Sequence, residues 1–117
     1  MAGKLTTHVL DTTHGRPAAG MALRLYRVDG SAVQLCAHTT NDDGRVNGPL
    51  LDGDNFKPGQ YRLTFDVAAY FRAQGVDLPN PPFLDVVTID FGITDAGAHY
   101  HVPLLVSPYG YSTYRGS

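Results

Sequence analysis

Residues 21–40, MALRLYRVDGSAVQLCAHTT, decide the fold class. Met21, Leu23 and Leu25 alternate with Ala22, Arg24 and Tyr26, the period-2 pattern of a strand with one buried face, and the run continues to Val28. Asp29-Gly30 interrupts it. An Asp-Gly pair between two alternating segments is the strongest short-range hairpin signal, so Ala32–Thr40 is expected to return antiparallel to the first strand.

The same period extends in both directions. Upstream, KLTTHVLD (4–11) places Leu5, Thr7 and Val9 on one parity and Thr6, His8 and Leu10 on the other, and TTHGRPAAG (12–20) reads as a long turn. Downstream, Asn41-Asp42-Asp43-Gly44 turns the chain again and puts Arg45 at the start of the next short segment, followed by a loop at 50–59. Gln60–Val67 sends Tyr61, Leu63, Phe65 and Val67 inward. Asp66 is placed to cap a short helix through Ala68–Arg72, which Gly75 would end in the left-handed conformation. Pro79, Pro81 and Pro82 make an extended linker, and Phe83–Ile93 resumes alternation with Val87, Ile89, Phe91 and Ile93 on one side. Thr94–Ala98 reads as a hairpin loop. His99–Ser107 and Tyr111–Tyr114 complete the series, with Pro103 suggesting an edge or irregular strand, since proline cannot donate to a ladder. Seven or eight short strands and one minor helix define an all-β, antiparallel sandwich.

Composition agrees with this reading and narrows function. A chain of 117 residues, 43% apolar, suits one domain, 1–117. Charged residues reach only 17%, against about 25% in ordinary domains, while Gly (13), Pro (8) and Tyr (7) are plentiful. That shortage of charge suits a chain that covers part of its surface with copies of itself. Nine basic and 11 acidic residues, scattered, leave a net charge of -2 and no basic patch for nucleic acid. With no apolar run long enough for a signal peptide or membrane span, the expectation is a soluble, cytoplasmic protein. Cys36, the single cysteine, fits a reducing compartment and excludes an internal disulfide.

Five histidines are the main candidates for chemistry. His14 lies in a turn and His38 in a strand without an evident partner, so both are assigned surface or hydrogen-bonding roles. His99 and His101, two apart on a strand, project from one face. That spacing suits a solvated face, two imidazoles beside a substrate, or a metal for which His8 is the evident third ligand. The residues alone leave these open.

Three segments, taken together, resemble the 5-hydroxyisourate hydrolases, the enzyme branch of the transthyretin-like proteins: LTTHVLDTTHGRPA at 5–18, TNDDGR at 40–45, and YHVPLLVSPYGYSTYRGS at 100–117. The resemblance implies a transthyretin-type sandwich of two four-stranded sheets with a short helix after the fifth strand. It implies a homotetramer, a dimer of dimers built by edge-strand pairing, with active sites at the dimer–dimer interface. His8, Arg45 and His101 fall on the family's catalytic positions, and Tyr114, Arg115, Gly116 and Ser117 line the same pocket as substrate-binding residues. His99, a neighbour of the motif, is read as structural. The implied reaction opens the six-membered ring of 5-hydroxyisourate with water, giving 2-oxo-4-hydroxy-4-carboxy-5-ureidoimidazoline (OHCU). Such a reaction needs a base, a donor where carbonyl charge develops and an orienting pocket. His8 or His101 can be the base. Arg45 would keep the imidazoles neutral and bind the urate-like edge with its planar fork. Arg115 has an alternative use, pairing with the terminal carboxylate or a neighbouring strand. No cofactor or metal is expected, since the chain has no glycine-rich phosphate loop and ring opening by water needs none. The alternative reading is a carrier that holds a flat aromatic ligand unchanged in the central channel.

Overall fold

The computed structural model describes residues 3–116. Its strands are β1 (Lys4–Asp11), β2 (Arg16–Pro17), β3 (Ala22–Asp29), β4 (Ser31–Thr39), β5 (Leu51–Asp52), β6 (Gly59–Asp66), β7 (Val86–Ile93), β8 (His99–Ser107) and β9 (Gly110–Thr113), with one helix, α1 (Val67–Ala73). One sheet has the order β4-β3-β6-β7 and the other β2-β1-β8-β9. The second sheet gains a fifth strand because β5 pairs with the start of β1 while β2 pairs with its end, so two two-residue strands share one edge. The extra β2 also makes α1 follow the sixth strand rather than the fifth.

The two sheets face each other across the alternating residues. Leu5 and Val9 of β1, Leu23 and Leu25 of β3, Leu63 and Phe65 of β6, and Leu104 and Val106 of β8 are fully buried between them. Each such side chain stabilises the fold by about 1.5–3 kcal/mol relative to exposure. The expected hairpin is present: β3 and β4 pair antiparallel, with Asp29 opposite Ser31 and Gly30 at φ +73°, and a bulge between Leu25 and Tyr26.

Three local expectations are corrected by long-range structure. Thr94–Ala98 is no hairpin loop, because β7 and β8 belong to different sheets and this segment crosses between them; the Tyr100 hydroxyl fixes the crossing by accepting from the Thr94 and Asp95 amides. Of the two readings of Pro103, the edge strand is excluded, since β8 lies between β1 and β9, while the irregular one stands, pairing with β9 ending at Leu104↔Thr113. Asp66 sits at the N-cap of α1 but makes no capping bond; its carboxylate accepts from the Arg24 guanidinium at 3.1 and 3.3 Å. The Asp85 carbonyl accepts from the Val67 and Ala68 amides instead, both at 3.1 Å. Gly75 ends the helix as expected, at φ +84° with its amide donating to Arg72.

One pairing positions the functional face. β1 and β8 run parallel, in register from Lys4↔His99 to Asp11↔Val106, within otherwise antiparallel sheets. Among the described residues no helix is long and apolar enough to cross a membrane.

Candidate active site

The parallel register places Thr6 opposite His101 and His8 opposite Pro103. Side chains on a strand alternate between faces. Leu5, Thr7 and Val9 enter the core, so Thr6 and His8 leave on the outer face with His99 and His101, all four half-buried. The His8 and His101 ring centroids lie 6.4 Å apart, as do those of His99 and His101.

Arg45 reaches this face through the turn that precedes it. The Asn41 carboxamide oxygen accepts from the Asp43 amide at 2.9 Å and the Arg45 amide at 3.2 Å, while the Asn41 amide donates to the Arg45 carbonyl at 2.7 Å. Gly44, at φ +74°, is pressed onto β1: its carbonyl accepts from the Val9 amide at 2.8 Å, and a Cβ here would lie 2.3 Å from the Val9 carbonyl oxygen. Only glycine fits this contact. The turn is thereby fastened one residue from His8. Arg45 remains exposed and starts no strand, the next being β5.

The electrostatics follow from this packing. Burial, and then the Arg45 charge, hold His8 below the ordinary imidazole value of 6.5, against an opposing pull from a backbone hydrogen bond to Asp43 and its carboxylate. His101 is lowered by burial first, then by Arg45, His8 and His99. Both imidazoles are therefore neutral near pH 7, each able to accept a proton.

The C-terminal segment closes over His101. Gly116 and His101 form an antiparallel bridge, the Gly116 amide donating at 2.7 Å and the His101 amide at 3.3 Å. This continues the register of β8 with β9, in which Leu104 faces Thr113. Pro103 therefore falls opposite Tyr114, at the position where a ladder bond is due and proline has no N–H, and pairing lapses there before resuming at Gly116. Tyr114 is exposed on the same face as His101. Arg115, opposite Val102, leaves on the other face, with its guanidinium carbon 4.1 Å above the Tyr100 ring and an N–H donated to the His99 carbonyl of the neighbouring strand at 3.3 Å. Ser117 lies outside the described residues.

Thr6 is the residue that sequence reasoning missed. Its hydroxyl lies within hydrogen-bond distance of both His99 and His101, and nothing local signals this because the partners are more than ninety positions away. Of the other histidines, His14 binds Asp11, with Nδ1 2.6 Å from the carboxylate. His38 is half-buried on β4. Burial pushes the Cys36 thiol up, which disfavours the nucleophilic thiolate. Among the described residues no group of three or more His, Cys, Asp or Glu side chains is arranged to hold a metal ion.

A two-sheet sandwich whose outer face gathers two neutral imidazoles and a guanidinium beside Gly116 is equipped for proton transfer. The chain belongs to the HIUase/Transthyretin family, whose sequence profile matches residues 5–116. It is 58% identical over 116 residues to the 5-hydroxyisourate hydrolase of Pseudomonas aeruginosa, covering 98% of this chain and 92% of that one. It is 59% identical over 117 residues to 5-hydroxyisourate hydrolase 2 of Rhizobium meliloti, covering 99% and 98%. The crystal structure of an (S)-allantoin synthase superposes with a TM-score of 0.95 at 48% identity, covering 99% of this chain and 44% of that longer one.

Proposed function

We propose that this chain hydrolyses 5-hydroxyisourate to OHCU in urate degradation. The observation that carries the reading is the convergence of His8, His101 and Arg45 on one sheet face from three separate segments. The curated relatives at 58% and 59% identity bear the same activity in their names. A carrier would have no use for two imidazoles kept neutral beside a cation.

One imidazole takes a proton from water as the oxygen attacks the ring carbonyl. Arg45 N–H groups stabilise the oxyanion that develops, and its planar fork orients the flat substrate. The ring C–N bond then breaks, and the imidazolium returns its proton to the departing nitrogen. Tyr114 adds a polar contact, while Gly116 holds His101 in place.

The active form is a homotetramer in which two edge-paired dimers meet through this face. Leu10, Leu105 and Tyr114 surround the imidazoles with apolar surface that a second copy would cover, enclosing the site. The cytoplasm is its compartment, consistent with the unpaired thiol.

The test generates 5-hydroxyisourate with urate oxidase and follows its ultraviolet band. Decay faster than the spontaneous rate, with OHCU as product, supports the reading; unchanged decay removes it. Solution sizing should return a tetramer, and an active monomer would refute the interface placement.

A further inference from the structure

The Thr6 Oγ1 atom lies 2.9 Å from His99 Nε2 and 2.8 Å from His101 Nδ1. A hydroxyl carries one hydrogen, so it donates to one of these nitrogens and accepts from the other. The tautomers of His99 and His101 are thereby locked together: one Thr6-facing nitrogen bears a hydrogen and the other does not. Two edges of the His101 ring are also occupied. Thr6 holds Nδ1, and Gly116 closes the Cδ2 edge, where an added Cβ would lie 2.9 Å away. Nε2 is the nitrogen left for the site. Burial first, and then the Arg45 charge, disfavour the doubly protonated ring, so one nitrogen of His101 stays bare.

We propose that His99 acts through Thr6 as a positioning residue: the Thr6 hydroxyl donates to His99 Nε2 and accepts from His101 Nδ1–H, leaving the His101 Nε2 lone pair as the base. When Nε2 takes the proton from water, Nδ1–H keeps Thr6 as its acceptor and Thr6 keeps His99, so no hydrogen bond rearranges. With the chain reversed, Nδ1 would accept from Thr6, and Nε2, already protonated, could take no proton from water. The final step, proton abstraction from water, rests on the hydrolytic reading; the tautomer lock rests on the hydrogen bonds alone.

Long-range nitrogen–proton NMR of the full-length labelled protein at mildly alkaline pH reads each ring nitrogen separately. In the wild type, His101 should be protonated at Nδ1 and bare at Nε2, and His99 the reverse. Thr6→Val should give His101 a mixture of tautomers, and Thr6→Ser should restore the wild-type pattern. With 5-hydroxyisourate, Thr6→Val and His99→Phe should lower kcat roughly 10- to 100-fold, the usual cost of losing a partner that orients a functional imidazole, with KM little changed and Thr6→Ser rescued. Wild-type His101 protonated at Nε2, or Thr6→Val without effect on tautomer and kcat, would overturn the proposal. If the NMR pattern is as expected but the wild type does not hydrolyse 5-hydroxyisourate, the lock stands and the hydrolytic reading falls. If hydrolysis proceeds with the tautomers reversed, the proposed direction of the chain and the role of His101 Nε2 as base fall, and the hydrolytic reading stands.

Discussion

Gly116 and His101 are fitted to each other: they exchange backbone hydrogen bonds at 2.7 and 3.3 Å, and a Cβ on residue 116 would lie 2.9 Å from the imidazole Cδ2 and 3.1 Å from the His101 Cβ. The glycine lets the C-terminal segment close on the ring without turning it. Gly116→Ala should therefore displace the imidazole while leaving the sandwich intact. We expect kcat/KM to fall on the order of 100-fold, as for other small misplacements of a reacting group, with the thermal midpoint nearly unchanged. Steady-state kinetics beside a melting curve check both halves.

Arg45 has two separable effects. Its charge lowers His8 and His101, so the neutral, proton-accepting imidazoles persist to pH values below the ordinary 6.5. The rate should fall as pH drops through the lowered value, because the imidazole base becomes protonated. Arg45→Met removes the cation, raises both imidazoles and should move this acid limb to higher pH. Arg45→Lys keeps the charge, so the limb should stay in place while kcat/KM drops about 100-fold through loss of the planar donor pair. pH–rate profiles of the two variants distinguish charge from geometry.

Asp11 is the buried anchor of the helix. Its carboxylate accepts from the His14 amide at 3.0 Å, faces His14 Nδ1 at 2.6 Å and accepts from the Tyr70 hydroxyl at 2.8 Å. Burial alone would raise this carboxyl, but the His14 and Tyr70 hydrogen bonds outweigh it and leave it below the ordinary 3.8, while burial and Asp11 push Tyr70 up to about 12. A depressed carboxyl contributes stability above its unfolded value and loses it as pH falls through the folded value. Asp11→Asn should cost about 2–4 kcal/mol in denaturant unfolding at neutral pH. The difference from wild type should shrink below pH 3.8.

What the sequence disclosed follows from how local each feature is. The β3–β4 hairpin was legible because Asp29-Gly30 and the flanking alternation lie within twenty residues, and α1 because Val67–Ala73 sits directly between Asp66 and Gly75. The parallel β1–β8 pairing joins residues some 95 positions apart, and no local pattern encodes it. For that reason Thr6 carries no local signal, and Thr94–Ala98 reads locally as a hairpin loop. The direction of Arg115 was hidden for the same reason: its face depends on the register that His101 and Gly116 impose. His8, Arg45 and His101 entered through their place in family motifs, while their meeting on one face is a property of the fold.

The proposed chemistry stands or falls with the two imidazoles. The most direct measurement is the decay of enzymatically generated 5-hydroxyisourate with wild type, His8→Ala and His101→Ala at equal concentration, each checked for folding by circular dichroism. The expected result is rapid decay with wild type and a loss of about 100- to 10,000-fold in each folded variant, the usual contribution of a general base or its partner. Decay at the wild-type rate with both variants would contradict the account.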